Sequence, residues 1–162
     1  MSIAYVNQIL PKDGSQVSIP NFAPIAGSVL QVVYATTSTT VISGTSNGTY
    51  FDIGLSANIT PQFTTSKILV VVSLRLFAQP NTLCIVRTLR DAVFIHGSNR
   101  YGLTDTQTVG SGGYYVCSVL DAPNTNSVLT YKTEVGRASG VNNWYAQLDG
   151  DPSTITLMEI AG

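Results

Sequence analysis

The sequence predicts an all-β protein: an antiparallel β-sandwich of the jelly-roll or a related type, with an extended arm or hairpin at its N-terminal end. Three observations carry this prediction. About ten short runs of β-branched and aromatic residues recur at roughly 8–15-residue spacing, as in sandwiches. Clusters of Ser, Thr, Asn, Gly and Pro separate these runs. No segment shows the 3.6-residue apolar period of a helix.

The N-terminal residues differ in character from the rest, which predicts an arm (residues 1–22) followed by one sandwich domain (residues 23–162). Apolar residues alternate weakly over residues 3–10, a Pro-Lys-Asp-Gly turn follows, and residues 16–19 are predicted as a second short strand. A lone hairpin is marginally stable in water, so its apolar side chains need a partner surface. The predicted partner-binding residues of the arm are Ile3, Tyr5, Val6, Ile9 and Leu10.

The body is predicted to consist of short strands joined by polar loops. The predicted strands are residues 29–35, 51–55, 57–59, 67–77, 82–90, 92–96, 114–122, 128–135, 144–148 and 154–160. The Ser/Thr/Gly-rich segment 36–48 has little apolar surface to bury and is predicted as a surface loop or an edge hairpin. Segments 97–113 and 136–143 are predicted as loops.

Two of the predicted strands, 67–77 and 114–122, are apolar on both faces. In a simple sandwich the outer face of a strand should be polar. Charged residues make up 10% of this chain, against about 25% in an ordinary soluble domain. We therefore predict that another subunit covers the outer face. The predicted subunit-interface residues are Leu69, Val71, Tyr115, Cys117 and Val119.

The overall composition argues against several function classes. A formal net charge of -1 with scattered basic residues provides no field for nucleic acid. No apolar run approaches the ~20 residues of a membrane span, and no charged segment followed by an apolar one suggests a secretory signal. Cys84 and Cys117 are predicted as buried thiols of a chain made in a reducing cytoplasm, with a disulfide between them left open.

Catalytic, cofactor and metal sites are not expected. The single histidine, His96, has no acidic or nucleophilic partner at a recognisable spacing. Asp149 and Asp151 flank a glycine and could supply two carboxylates to Ca²⁺, although this is also ordinary turn chemistry. Trp144 and Tyr145 follow a Gly-Val-Asn-Asn segment and are candidates for contact with a receptor.

Four segments in order resemble a β-rich domain of structural proteins of tailed phages, particularly phages of cyanobacteria and marine bacteria. They are GSVLQVV at 27–33, ITPQFTTSKILV at 59–70, LDAPNT at 120–125 ahead of the Tyr-Lys pair at 131–132, and STITLMEI at 153–160. The arm segment VNQIL at 6–10 resembles the lead-in of such proteins. The resemblance implies a virion component, a homotrimer with a jelly-roll or C1q/TNF-like sandwich, and no catalytic residues.

This family occurs at the tips of tail fibres and as small proteins on the virion surface. About 22 residues precede the body here, whereas a tail fibre needs an attachment domain and a shaft, so we expect a head decoration (cement) protein. It would bind the major capsid protein or another virion protein on the virion surface, after assembly in the host cytoplasm. The alternatives are a short tail-fibre or receptor-binding protein, which would use segments 36–48 and 97–113 with Trp144 and Tyr145, and a polysaccharide-degrading spike.

Overall fold

A computed structural model describes residues 24–42, 46–98, 104–105 and 110–162. The predicted arm lies outside these residues. The described part of the chain is folded into the following strands: β1 (Val29–Thr37), β2 (Val41–Ile42), β3 (Tyr50–Ile59), β4 (Lys67–Ala78), β5 (Thr82–Arg90), β6 (Val93–Ser98), β7 (Thr104–Asp105), β8 (Ser111–Asp121), β9 (Leu129–Gly140), β10 (Trp144–Ala146) and β11 (Ser153–Ile160). A short 3₁₀ turn, Leu148–Gly150, separates β10 from β11. Among the described residues, no helix has the length and apolar character needed to span a bilayer.

The strands form two antiparallel sheets that pack face to face. The first sheet has the order β1-β11-β4-β8. β10 pairs with the C-terminal end of β4, on the same side of β4 as β11, and β2 pairs with β10. The second sheet has the order β3-β9-β5-β6, with β7 paired to β5. Among the long strands, the chain changes sheet at every connection except the β5–β6 hairpin. Two four-stranded sheets joined in this way are a jelly roll, which confirms the predicted fold class.

The core fills the space between the two sheets, because strand alternation directs every second side chain inward. On β4 the buried residues are Ile68, Val70, Val72, Leu74 and Leu76, the set that the two-residue period predicted to share one face. On β9, Leu129, Tyr131 and Val135 are buried as expected. Buried apolar residues of β3, β5, β10 and β11 complete the core.

A cluster of polar side chains joins the two sheets at one end of β8. The Arg90 guanidinium donates to both carboxylate oxygens of Asp121, at 2.8 and 2.6 Å, and the Tyr131 hydroxyl donates to the same carboxylate at 2.7 Å. These residues belong to β5, β8 and β9 respectively. Burial and the neighbouring carboxylate raise the pKa of Tyr131. Charge-assisted hydrogen bonds of this kind are stronger than neutral ones, so the cluster links the edge of the first sheet to the second sheet.

Two predicted boundaries were wrong. Residues 51–55 and 57–59 form one strand, because Gly54 takes a φ of +73° in an irregularity of the β3–β9 register. Residues 136–143 were predicted as a loop, yet β9 continues to Gly140. A Cβ at Gly136 would lie 2.5 Å from the Thr49 carbonyl oxygen, and Arg137 Nε donates to Asn47 Oδ1 at 2.6 Å. Contacts with a distant segment thus extend a strand whose sequence is typical of a loop.

The segment predicted as one polar loop, 36–48, also contains a short strand. β2 adds to the first sheet through Ile42 and Val41, which pair with Tyr145 and Ala146 of β10. Among the described residues of this segment β2 pairs with β10 and not with β1, so the predicted edge hairpin is not seen there. In the segment 97–113, β7 pairs with the start of β5.

Candidate interaction surface

The outer side of the first sheet carries no charge in its middle and presents apolar side chains from four strands, interspersed with Ser and Thr. One row across the sheet consists of Val32, Met158, Leu69 and Leu120, each paired with the next. Side chains directly opposite one another on paired strands lie on the same face. Val32 is 57% exposed and Leu120 53% exposed, at the two ends of the row. The register therefore places four apolar side chains side by side on the outer surface of the sheet.

The neighbouring rows continue this surface. The second row is Tyr34, Thr156, Val71 and Ser118, and the third is Thr36, Thr154, Ser73 and Val116. Val116 is 65% exposed. We call this surface the apolar face; its apolar residues are Val32, Tyr34, Leu69, Val71, Val116, Leu120, Met158 and Ile160. At the strand spacing of a β-sheet it covers roughly 400 Å². Patches of this size on a monomer are often functional.

Charged side chains border the apolar face but do not interrupt it. On the outward positions of these four strands, the charged residues are Lys67 at one end of β4 and Arg75 near the other. Arg75 Nε is 2.8 Å from Asp151 Oδ2, and its guanidinium lies 5.8 Å from the centre of the Tyr114 ring. Arg75 is thus paired with Asp151. No charged residue lies on the outward positions of β4 between Lys67 and Arg75.

The outer side of the second sheet is chemically different. Glu134 Oε2 is 2.6 Å from Arg87 Nη2, and Glu134 Oε1 is 2.7 Å from Lys132 Nζ. Lys132 also lies 3.6 Å from Asp52 Oδ2, and the Arg87 guanidinium stacks 4.1 Å above the Tyr50 ring. We call these residues the charged face. Its charges satisfy one another, as expected of a surface in contact with water.

The ionisation of Glu134 follows from these contacts. Burial of the carboxylate opposes ionisation, but hydrogen bonds from Lys132 and Arg87 outweigh it and hold the pKa of Glu134 below its ordinary value. The hydrogen bond to Glu134 in turn raises the pKa of Lys132. Each partner stabilises the charged form of the other, so the network remains charged at neutral pH.

A second buried carboxylate lies at the end of the sandwich where the described chain begins. Glu159 of β11 is 0% exposed and accepts hydrogen bonds from Gln31 Nε2 at 2.6 Å and from the Gln62 backbone N–H at 2.7 Å. Burial opposes its ionisation, but hydrogen bonds from Ser66, Gln31 and the backbone outweigh it and lower the pKa of Glu159. An open pocket of about 320 Å³ adjoins this end, lined by Pro24, Ile25, Ser28, Leu30, Gln62 and Phe63. None of these lining residues is ionisable, and the hydroxyl of Ser28 donates to the Ile25 carbonyl.

The predicted interface residues fall into two groups. Leu69 and Val71 are half-buried and belong to the apolar face. Tyr115, Cys117 and Val119 point the other way and pack against the core. The residues that β8 presents outward are Tyr114, Val116 and Leu120 instead. Both faces of β8 are apolar in sequence, so alternation alone did not show which one turns inward.

The predicted receptor contact through Trp144 was wrong. Its indole ring is 0% exposed and packs against Phe51 with ring centroids 6.2 Å apart. Tyr145 is half-buried and its ring centroid is 6.0 Å from that of Phe77. Strand alternation places neighbouring residues on opposite faces, so the pair cannot act as one aromatic surface. The predicted arm contacts, Ile3, Tyr5, Val6, Ile9 and Leu10, lie outside the described residues.

Of the eight apolar residues of the apolar face, sequence reasoning identified Leu69 and Val71 alone. It missed Val32 and Tyr34 of β1, Val116 and Leu120 of β8, and Met158 and Ile160 of β11. The sequence did contain a signal for β1 and β11, because both strands carry apolar residues at consecutive positions, as β4 does. That signal showed only that both faces of each strand are apolar. It did not show that four such strands are neighbours.

Metal-ligand clusters and activated cysteines are the two arrangements that the described residues can be tested for. No group of three or more His, Cys, Asp or Glu side chains in the described ranges could hold a metal ion. Of the two turn carboxylates, Asp151 is paired with Arg75. Cys84 and Cys117 are free thiols. Burial raises the pKa of Cys84 to about 12 and also raises that of Cys117, so neither thiol is activated as a thiolate.

Solved structures that match this fold include viral proteins. VP2 of infectious bursal disease virus, in a subviral particle, matches with a TM-score of 0.53 and 12% sequence identity over 91% of this chain and 37% of that chain. A mutant VP2 of the same virus, in T=1 particles, matches with a TM-score of 0.50 and 12% identity over 91% of this chain and 40% of that chain. This chain thus spans about two-fifths of the length of those proteins. At such identity the likeness concerns the fold.

No protein-family model matches the chain. No curated protein matches it either.

Proposed function

We propose that this chain is a phage head decoration (cement) protein, a non-enzymatic component of the virion surface that binds the shell as a homotrimer. The apolar face is the observation that carries the proposal. Water-exposed sheet faces are ordinarily polar, so an uncharged face of four strands favours a protein partner. Two further observations agree: the fold occurs in VP2 proteins that form viral particles, and four sequence segments resemble tailed-phage structural proteins.

The proposal divides the work between the two parts of the chain. Subunits of the trimer bury part of the apolar face, including Leu69 and Val71. The arm, through Ile3, Tyr5, Val6, Ile9 and Leu10, binds the shell, since an extended segment can add a strand to an exposed sheet edge on a partner. A trimer with three arms clamps several shell subunits at once, which strengthens binding by multivalency.

Deletion of residues 2–20 tests the role of the arm. The deleted protein should keep the thermal unfolding midpoint of the full chain, because the core described above is built from residues 33–157. It should no longer sediment with undecorated shells. A finer test places a charge on the arm: Ile9→Asp should weaken shell binding at least tenfold, whereas Gln8→Asp, at a polar position, should not. A truncated protein that still decorates shells would refute the role of the arm.

Immunogold labelling of intact virions separates the decoration proposal from its alternative. Gold particles distributed over the head are expected for a cement protein. Gold confined to the end of the tail would overturn the proposal and favour a receptor-binding protein. In that case the segments 36–48 and 97–113, together with Tyr145, are the ones to mutate.

A further inference from the structure

The outer edge of β8 is the longest uninterrupted strand edge of the described residues. All eleven residues from Ser111 to Asp121 pair with β4 without a register shift. No described strand pairs with the other side of β8. Alternate residues along that side therefore direct their backbone N–H and C=O groups away from the sheet. Unpaired backbone groups of this kind are a template for another strand.

Other edge strands of the sandwich are interrupted or tied to a neighbour. β1 has a register irregularity between Val29 and Gln31, and Gln31 Nε2 donates to the Thr60 carbonyl at 2.7 Å, which ties this edge to the end of β3. β6 has six residues and an irregularity in its pairing with β5. Bulges and short edge strands are ways in which proteins prevent edge-to-edge pairing. β8 has neither.

The residues of β8 also lack the usual protection against pairing. Lys, Arg and Pro are absent from residues 111–121. The single charged residue, Asp121, stands at the end of the strand and is neutralised by Arg90. A long, flat and uncharged edge is costly to leave exposed, so its persistence in a sequence indicates that it has a partner.

We propose that β8 pairs antiparallel with β8 of a second copy of this chain, about a two-fold axis at Val116. Full overlap of two identical antiparallel strands of this length places the central residue, Val116, opposite itself. The two first sheets then join into one continuous sheet, and the two apolar faces become one surface. The contact is isologous, because the same edge serves both copies.

Charge and size along β8 support a second copy as the occupant. In this register Asp121 of one copy lies opposite Ser111 of the other, so no like charges meet. Gly112 and Gly113 at one end of the strand lie opposite Leu120 and Val119 at the other end, so that small residues face large ones. Where a Cβ on Gly112 would stand, the nearest atoms are Arg75 Nη1 at 2.9 Å and the Phe77 ring at 3.0 Å, so a guanidinium and an aromatic ring border this end of the strand.

The edge contact is independent of the proposed shell binding. It uses the backbone edge of β8, whereas the trimer uses side chains standing on the sheet. A two-fold contact combined with a three-fold one would link trimers in pairs. Because the test below uses the purified full chain, its failure would leave the decoration proposal intact.

The proposed axis makes disulfide trapping specific to the register. In a chain carrying Cys117→Ser, the variant Val116→Cys should form a cross-linked dimer under mild oxidation, since directly opposed residues have Cα atoms about 4.5–5.5 Å apart, within disulfide range. The variant Ser118→Cys in the same background is the matched control. Its two copies would be separated by four residues, about 13 Å, and should not cross-link. A mixture of Ser118→Cys and Tyr114→Cys chains should cross-link, because these positions are opposite each other.

The relative rates of cross-linking decide between the outcomes. Dimers from Val116→Cys at least tenfold faster than from Ser118→Cys, together with cross-links in the mixture, support the proposal. Equal rates for the two single variants, or no dimer from either, overturn it. Cross-linking of Val116→Cys that appears only after deletion of residues 2–20 also overturns it, since the arm would then be the occupant of the edge.

Discussion

The two outer faces of this sandwich have the same geometry and opposite chemistry. Both consist of antiparallel strands whose inward residues share one core. On the charged face, the Glu134 carboxylate lies 2.6 Å from Arg87 Nη2 and 2.7 Å from Lys132 Nζ. On the apolar face, four strands present Val, Leu, Tyr and Met side chains with no charge between Lys67 and Arg75. The comparison teaches that one fold can carry self-satisfied charges on one sheet and an uncharged, largely apolar surface on the other.

The largest expected effect concerns the cluster that joins the two sheets. Asp121→Ala leaves Arg90 and the Tyr131 hydroxyl without their shared acceptor in a largely buried site. Removal of one partner from such a pair destabilises a protein by about 3 kcal/mol. Chemical denaturation of purified protein measures this change. Asp151→Ala, which breaks the more exposed pair with Arg75, is the matched control and should cost less than about 1 kcal/mol. Equal losses in the two variants would show that Asp121 does not join the sheets.

The next largest effect is expected from one substitution on each face, Glu134→Gln and Leu69→Gln, compared for stability and for self-association. Glu134→Gln on the charged face should lower the free energy of unfolding by about 2 kcal/mol, because hydrogen bonds to a charged partner are lost, and should leave self-association unchanged. Leu69→Gln on the apolar face should alter stability by about 1 kcal/mol or less and weaken self-association at least tenfold. Denaturation and sedimentation equilibrium measure the two properties. If Glu134→Gln dissociates the assembly and Leu69→Gln does not, the assignment of the faces is reversed.

A smaller effect is expected from pH. The pKa values of Glu134 and Glu159 are lowered in the folded protein below the ordinary 4.5. The unfolded chain therefore takes up protons at a higher pH than the folded protein does. The stabilisation from these carboxylates is complete above about pH 5 and is lost as the pH falls through their folded-state values. Unfolding midpoints measured between pH 7 and pH 3 should decline below about pH 4.5.

The double variant Glu134→Gln, Glu159→Gln isolates this contribution. It should be less stable than the original protein at pH 7, and its stability should change less between pH 7 and pH 3. A decline in the variant as steep as in the original would show that other carboxylates govern the acid response.

Much of the fold could be predicted from residues that carry a clear two-residue period. On β9, Leu129, Tyr131 and Val135 were correctly expected to point inward, because polar residues alternate with them. On β8 the period carried no such information, since both of its faces are apolar, and Tyr115, Cys117 and Val119 proved to pack against the core. Of the apolar face, only Leu69 and Val71 were predicted. The local sequence pattern could not show that β1, β8 and β11 lie in the same sheet as β4.

The sequence by itself determined the all-β character of the body, the inward residues of β4 and β9, and the scarcity of charge that suggested a partner. These properties follow from side-chain chemistry and from the period of an extended chain, both of which are local. Only the tertiary structure decided that β1, β11, β4 and β8 are neighbours, that Trp144 is buried, and that no described strand pairs with the outer edge of β8. Strand order and register depend on pairings between residues far apart in the chain, such as Leu69 with Met158 and Leu120, and no local pattern encodes those pairings.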